Sequence, residues 1–201
     1  MTDILGSDAR LYWKGRAEEY DRNRGIIKTQ KFLTERGIDL LKPGKGLILD
    51  VGCGTGISTK IIEDRNLPVV GLDISEDMLR LAKRKGLRVL AGDFRSLPFK
   101  GNSFHSIFSI STLQWITGRD EREIRVKYRE TAEEFYRVIV KGGRALIQFF
   151  PATEGEMEMA TEEFRKAGFT GYLVEDTDGR KYILLTKTGK EAKNDNDKEV
   201  F

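Results

Sequence analysis

The chain has one cysteine, Cys53, and one histidine, His105, in 201 residues. A single thiol excludes an internal disulfide and any zinc site built from several cysteines, and no metal site is expected. Long apolar runs are missing too: none approaches the ~20 residues that cross a bilayer, so no membrane association is expected. The first residues, Met1-Thr2-Asp3-Ile4, lack a basic segment followed by an apolar one. No secretory signal is read there, and a cytoplasmic protein is expected. Charge of one sign is not in excess either. Lys+Arg number 35 and Asp+Glu 32, a formal net charge of +3. That balance permits an anionic partner without demanding one. No internal repeat and no second domain are visible.

What is present is concentrated in 48–56, Ile-Leu-Asp-Val-Gly-Cys-Gly-Thr-Gly. An apolar run ends in an acid, Asp50, followed by Gly52, Gly54 and Gly56 at alternate positions. A helix-compatible segment comes next. Glycines here let the backbone turn sharply and let a ligand lie against the main chain where a Cβ would collide. Strand, glycine turn and helix make the mononucleotide half of a doubly wound sheet, whose ligands sit at the carboxyl ends of the strands.

Hydrophobic periodicity fills in the rest. Residues 8–41 read as a helical cap, with Leu11, Trp13, Ala17 and Tyr20 on one stripe and Ile26, Ile27, Phe32, Leu33, Leu40 and Leu41 on another. Strands are expected at 47–52, 69–73, 87–91, 104–111 and 144–150. Helices fall between them at 58–65, 76–85 and 121–139, the second capped by Ser75. Lys141-Gly142-Gly143 reads as a helix stop. A helix at 154–167 leads into a hairpin, 172–175 with 182–186, around Thr177-Asp178-Gly179. The expected fold is α/β and Rossmann-like. Its mostly parallel seven-stranded sheet carries a C-terminal antiparallel hairpin strand, with helices on both faces. Residues 1–187 read as one domain and 188–201 as a disordered, mostly charged tail.

The spacing G-x-G-x-G with an acid two residues ahead resembles the first motif of class I S-adenosylmethionine (SAM) methyltransferases. So do Gly71-Leu72-Asp73-Ile74-Ser75 with Met78-Leu79, Leu97-Pro98-Phe99 and Lys141-Gly142-Gly143. More particular are Ser109-Ile110-Ser111-Thr112-Leu113-Gln114-Trp115, Gln148-Phe149-Phe150-Pro151, Ala167-Gly168-Phe169 and Gly179-Arg180-Lys181-Tyr182. With Tyr12-Trp13 and Arg16-Ala17-Glu18-Glu19-Tyr20, these resemble the eukaryotic small-subunit ribosomal RNA guanine-N7 methyltransferases, one of them encoded in the Williams–Beuren syndrome region. The likeness covers about 10–187.

The resemblance implies SAM as cofactor and S-adenosyl-L-homocysteine as product. Asp73 would accept both ribose hydroxyls, Asp93 the adenine amino group, and Ser109–Trp115 would border the methionine end and the substrate. The implied cofactor set is Arg16, Tyr20, Asp50, Gly52, Cys53, Gly54, Gly56, Asp73, Ile74, Met78, Gly92, Asp93, Phe94 and Ser109. Tyr12, Gln114 and Trp115 are the substrate-side candidates, with Trp13 and Phe150 behind them. One departure is His105, where most class I enzymes have Asp; it reads as a strand-start residue rather than a base.

Methyl transfer from a sulfonium is an in-line displacement that needs alignment and a dry pocket. Cys53, inside the glycine turn, is badly placed for attack on a pyrimidine. The Asn/Asp-Pro-Pro-Tyr element common in exocyclic amine methylation is absent. Guanine N7 already carries an in-plane lone pair, which fits a site without an evident general base. Ribosomal RNA or a pre-ribosomal particle is the expected partner. Basic groups at Arg22, Arg24, Lys28 and Lys31, at Lys83–Arg88 and at Arg119–Arg129 are available for phosphates. The resemblance also implies a small zinc-ribbon activator at the third-strand edge, 87–91, of an otherwise monomeric chain. Two other readings stay open: a methyltransferase of small molecules, and a SAM-binding ribosome-assembly factor.

Overall fold

The computed structural model describes residues 9–188. The expected tail lies outside the described residues from 189 onward. Seven strands form one sheet: β1 Ile48–Val51, β2 Val69–Asp73, β3 Val89–Ala91, β4 Phe104–Ile110, β5 Ile139–Gln148, β6 Phe169–Glu175 and β7 Lys181–Lys187. Their order is β3-β2-β1-β4-β5-β7-β6. The pairs β1–β2, β2–β3, β1–β4 and β4–β5 are parallel. β7 is antiparallel to both neighbours. This is the expected sheet, and its strand order reverses at β1, between β2 and β4. That switch point is where doubly wound folds open a cleft.

Alternation along the strands sorts side chains to two faces. Leu49, Val51, Ile107, Ala145, Ile147, Ile183 and Leu185 pack with Tyr128, Ala132 and Phe135 of α6 (Glu121–Val138) and Ala160 and Phe164 of α7 (Glu154–Ala167). Ile48, Phe108, Leu146, Tyr182 and Leu184 pack with Leu33, Ile38 and Leu41 of α3 (Arg24–Leu41) and Ile62 of α4 (Ile57–Asp64).

The segment read as one helical cap is three helices: α1 Ala9–Trp13, α2 Ala17–Arg22 and α3. Gly15, with φ +74°, turns the chain between the first two. Asn23 starts α3, its Oδ1 accepting from the N–H of Gly25 (3.0 Å) and Ile26 (3.1 Å). Two residues of the expected apolar stripes are not core: Leu11 is 71% exposed and Phe32 47%. Lys141-Gly142-Gly143 is likewise not a stop outside the sheet. β5 begins at Ile139, directly after α6, and the glycines form an irregularity inside the strand: the partners of β4 jump from Phe104↔Ile139 to Ser106↔Arg144. Gly143 is required there, because a Cβ would stand 2.8 Å from the carbonyl oxygen of His105. α5, Glu76–Arg84, is capped as expected by Ser75, whose Oγ accepts from Met78 N–H.

Candidate active site

A cavity of about 730 Å³, its open mouth included, lies at the carboxyl ends of β1, β2 and β4. Its floor is the turn after β1. Gly52 has φ +73°, and a Cβ there would stand 2.0 Å from Oγ1 of Thr112, so both backbone and space demand glycine. The Thr112 hydroxyl is fixed by Val51 O and Ile110 O, each at 3.1 Å. At Gly54 a Cβ would meet nothing within 4 Å, because this part of the turn faces the open cavity. Gly54 N–H donates to Asp73 Oδ2 at 2.8 Å, and Ser75 N–H to Asp73 Oδ1 at 2.8 Å. Burial pushes the Asp73 carboxyl above its ordinary range, and these backbone donors offset part of that.

The apolar wall is Leu72, Ile74, Met78 and Phe94, with Gly92. Cys53 also lines the cavity, but its thiol is 4% exposed and packs where a Cβ on Gly71 would stand 2.7 Å from Sγ. Burial first, then Asp50 and Asp73, hold that thiol well above its ordinary value, so it is no nucleophile.

Aromatic residues from α1, α2 and the short 3-10 helix Leu113–Trp115 close the other side. Trp13 meets Tyr20 at 5.1 Å and Trp115 at 5.4 Å, ring centre to ring centre; Tyr12 meets Trp115 at 5.0 Å. Burial, then Asp73 and Asp21, push the Tyr20 phenol up to about 12, so it stays a neutral donor. Two contacts hold this cluster over the glycine turn. Gly15 N–H donates to Asp77 Oδ2 (2.8 Å), and Lys85 bridges Asp21 Oδ1 (2.6 Å) and the carbonyl of Thr55 (3.0 Å).

Several residues expected at the cofactor lie off the cavity wall. Asp50 is 1% exposed and sits behind the turn, its Oδ2 accepting from Ser58 and Thr59 hydroxyls, each at 2.6 Å. Strand alternation is the reason: Asp50 shares the α3–α4 face with Ile48. Ser109 is fully buried on the opposite side, that of Ile107. Gly56 is a packing residue, since a Cβ would stand 2.3 Å from Leu87 Cδ1. Arg16 is exposed, its guanidinium 4.4 Å over the Tyr12 ring. Tyr12 backs Trp115 from outside. Gln114 is half-buried and accepts from Phe150 N–H at 3.5 Å. Asp93 is bound by Arg95, with Nη2 2.6 Å from Oδ2. Burial opposes its ionisation, but the Arg95 hydrogen bonds outweigh that and hold it below the ordinary range. It lines a second groove with Phe94, Trp115, Thr117, Arg119 and Lys127. Trp115 and Phe94 belong to both the groove and the cavity. His105 is exposed at the start of β4, the end of the strand remote from the cleft.

Gln30, which no motif contains, also lines the wall, together with Thr55, Ser111 and Thr112 from within the motifs. Ser111 holds φ +55°, uncommon for a residue with a Cβ. Its hydroxyl accepts from Gln30 Nε2 (3.1 Å) and donates to Gln148 Oε1 (3.3 Å). Ser111 follows β4 directly and belongs to the 109–115 segment expected at the site, whereas Ser109, the first residue of that segment, is still inside the strand. For Gln30 the signal was a polar residue at the N-terminal end of α3's buried stripe. Among the described residues no cluster of His, Cys, Asp and Glu is arranged to hold a metal, and no helix is long and apolar enough to cross a membrane.

A family model described as a methyltransferase domain matches residues 49–147. The 18S rRNA (guanine-N(7))-methyltransferase bud23 of Schizosaccharomyces pombe is 36% identical over 86% of this chain and 69% of its own length. The 18S rRNA (guanine-N(7))-methyltransferase of Bos taurus is 35% identical over 87% of this chain and 65% of its own. The chain thus spans about two thirds of the length of these curated relatives. Among solved structures, a Haloferax volcanii methyltransferase in complex with the Trm112 methyltransferase activator superposes with a TM-score of 0.73 at 16% identity. The match covers 92% of this chain and 99% of that one.

Proposed function

The chain belongs to the 18S rRNA (guanine-N(7))-methyltransferase family, and on that premise we propose that it methylates N7 of a guanine in small-subunit ribosomal RNA. The observation that carries this reading is the cavity. A backbone turn open to a ligand at Gly54, a half-buried carboxylate at Asp73 and an apolar wall meet an aromatic cluster that continues into a second groove. This set fits SAM. Asp73 would take the ribose hydroxyls, the wall of Leu72, Ile74, Met78 and Phe94 the adenine, and the 52–55 backbone the methionine end. When bound, SAM supplies an electrophilic methyl group.

The chain's own residues do the rest. Trp13, Tyr20 and Trp115 exclude water and leave the acceptor entrance at the junction of cavity and groove. Trp115 offers a flat surface against which an unstacked purine can be held. No residue of the wall is placed as a strong base, and guanine N7 needs none. Alignment of the lone pair with the methyl group is the contribution asked of the protein.

The partner belongs to the same proposal. β3 is an edge of the sheet, its Val89 and Leu90 half-buried and Ala91 exposed, a surface suited to strand addition by a small zinc-ribbon activator. The similarity in fold to a methyltransferase captured with an activator supports it.

The test is incubation with methyl-labelled SAM and small-subunit ribosomal RNA or precursor particles, with and without the activator, followed by nuclease digestion. The expected product is 7-methylguanosine at one position, reduced by a factor of about 100 or more in Asp73→Ala, which loses charged hydrogen bonds to the ribose. SAM binding without label in any RNA would instead favour a small acceptor.

A further inference from the structure

We propose that the exposed face of α3, with the turn between β6 and β7 that packs on it, is the track along which the RNA backbone approaches the cavity; this rests on the reading that the substrate is ribosomal RNA. α3 has two faces of different character. One buries Leu33, Gly37, Ile38 and Leu41 on the sheet. At its N-terminal end Gln30 reaches the cavity and donates to Ser111. The other presents Arg24, Lys28 and Phe32 at four-residue intervals with Lys31 beside them, all exposed.

Many of the other surface cations are ion-paired, although Lys83, Arg88, Arg122 and Arg129 make no ion pair among the described residues. Arg22 is paired with Glu18, Lys85 with Asp21, Arg119 and Lys127 with Glu123, and Arg125 with Glu162 and Glu163. Arg24, Lys28 and Lys31 make no ion pair or hydrogen bond among the described residues. Glu35, four residues beyond Lys31, does not pair with it. Like charges three or four residues apart on a helix repel one another. A ligand with regularly spaced anions relieves that repulsion and gains from counterion release.

The aromatic member is built in rather than incidental. The Arg180 guanidinium stands 4.7 Å over the Phe32 ring, and Arg36 Nη2 binds Asp176 Oδ1 at 2.6 Å. These contacts hold the β6–β7 turn against α3 and leave Phe32 47% exposed. A row of unpaired cations beside a ring stacked with guanidinium suits a polynucleotide, whose phosphates repeat and whose unstacked bases offer π faces. The face lies one helix width, about 10 Å, from the residue that touches the cavity.

The full chain is tested with the triple variant Arg24→Ala/Lys28→Ala/Lys31→Ala and with Phe32→Ala. The control, Lys45→Ala/Lys141→Ala, removes exposed charge at the far end of the sheet. Binding to a small-subunit ribosomal RNA fragment is measured between about 50 and 200 mM salt, alongside SAM affinity and guanine methylation. In the triple variant, RNA affinity is expected to fall about tenfold or more, and the slope of log K against log salt to shrink by about 2. Phe32→Ala is expected to lose about fivefold or more in affinity with the slope unchanged. SAM affinity stays at the wild-type value in every variant. If the triple variant matches the control while wild type methylates the RNA, the track is wrong and the proposed reaction stands. If wild type neither binds nor methylates ribosomal RNA, both fall.

Discussion

Asp50 and Asp73 stand near the carboxyl ends of adjacent strands and have different surroundings. Asp73 faces the cavity and is held by backbone donors. Asp50 is enclosed, and burial pushes it up to about 6 from 3.8, with the Ser58 and Thr59 hydroxyls offsetting part of the rise. A carboxyl whose folded value is raised keeps its proton where the unfolded chain has lost it. Its contribution to stability therefore falls as pH rises from about 4 to about 6, and a deficit on the order of 3 kcal/mol remains above that window. Asp50→Asn removes this titration. Melting temperatures of variant and wild type should diverge in the variant's favour as pH climbs through that window, whatever the offset at pH 4. A difference that stays flat with pH would rule out a raised Asp50. Because Asp50 lies behind the turn, SAM affinity should change by less than about threefold, which separates it from Asp73→Ala.

At the scale of elements, α3 carries two loads: it covers the sheet and it brings Gln30 to the cavity. Close approach makes both possible. A Cβ on Gly37 would stand 2.8 Å from Phe108 Cζ and 3.0 Å from Leu146 Cδ2. Gly37→Val is therefore expected to cost about 1–3 kcal/mol through overpacking, more than any gain in helix propensity returns. Urea unfolding should show a lower midpoint with an unchanged slope. Equal stability would mean that α3 shifts outward, and the Gln30–Ser111 contact should then be lost with it. The start of β5 follows the same logic: α6 runs into the strand with no linker, and the irregularity at Gly142-Gly143 absorbs the change of direction.

For the molecule as a whole, the open edge of the sheet sets what can be added to it. Gly71 N–H donates to Arg88 O and Gly92 N–H to Asp73 O. In a parallel ladder the main-chain groups of residues 89 and 91 then point away from β2, toward the open side. Ala91→Pro removes one outward donor while sparing the ladder with β2. A zinc-ribbon activator at about 100 times its dissociation constant should raise the stability of wild type by about 2.7 kcal/mol. In Ala91→Pro that gain should vanish while the melting temperature of the chain alone holds within a few degrees. A gain that survives the proline would place the partner elsewhere.

The strand–turn–helix order, the antiparallel terminal hairpin and the glycine turn are legible in the chain alone. Each of these is written in short-range signals: an apolar run, a cap such as Ser75, a positive φ that only certain residues tolerate. It also pointed to Asp73 at the end of β2, Met78 in the helix after it, and Trp115 in the short helix after β4. Which side of a strand each end residue faces is fixed only once the elements are packed together. Successive residues alternate between the faces, which puts Asp50 and Ser109 into the interior on opposite sides, while Ser111, just past β4 with φ +55°, leaves the strand and reaches the cavity. Gln30 belongs to the same lesson. It is 81 residues from Ser111, and no local pattern records a contact that exists only because α3 lies across the sheet.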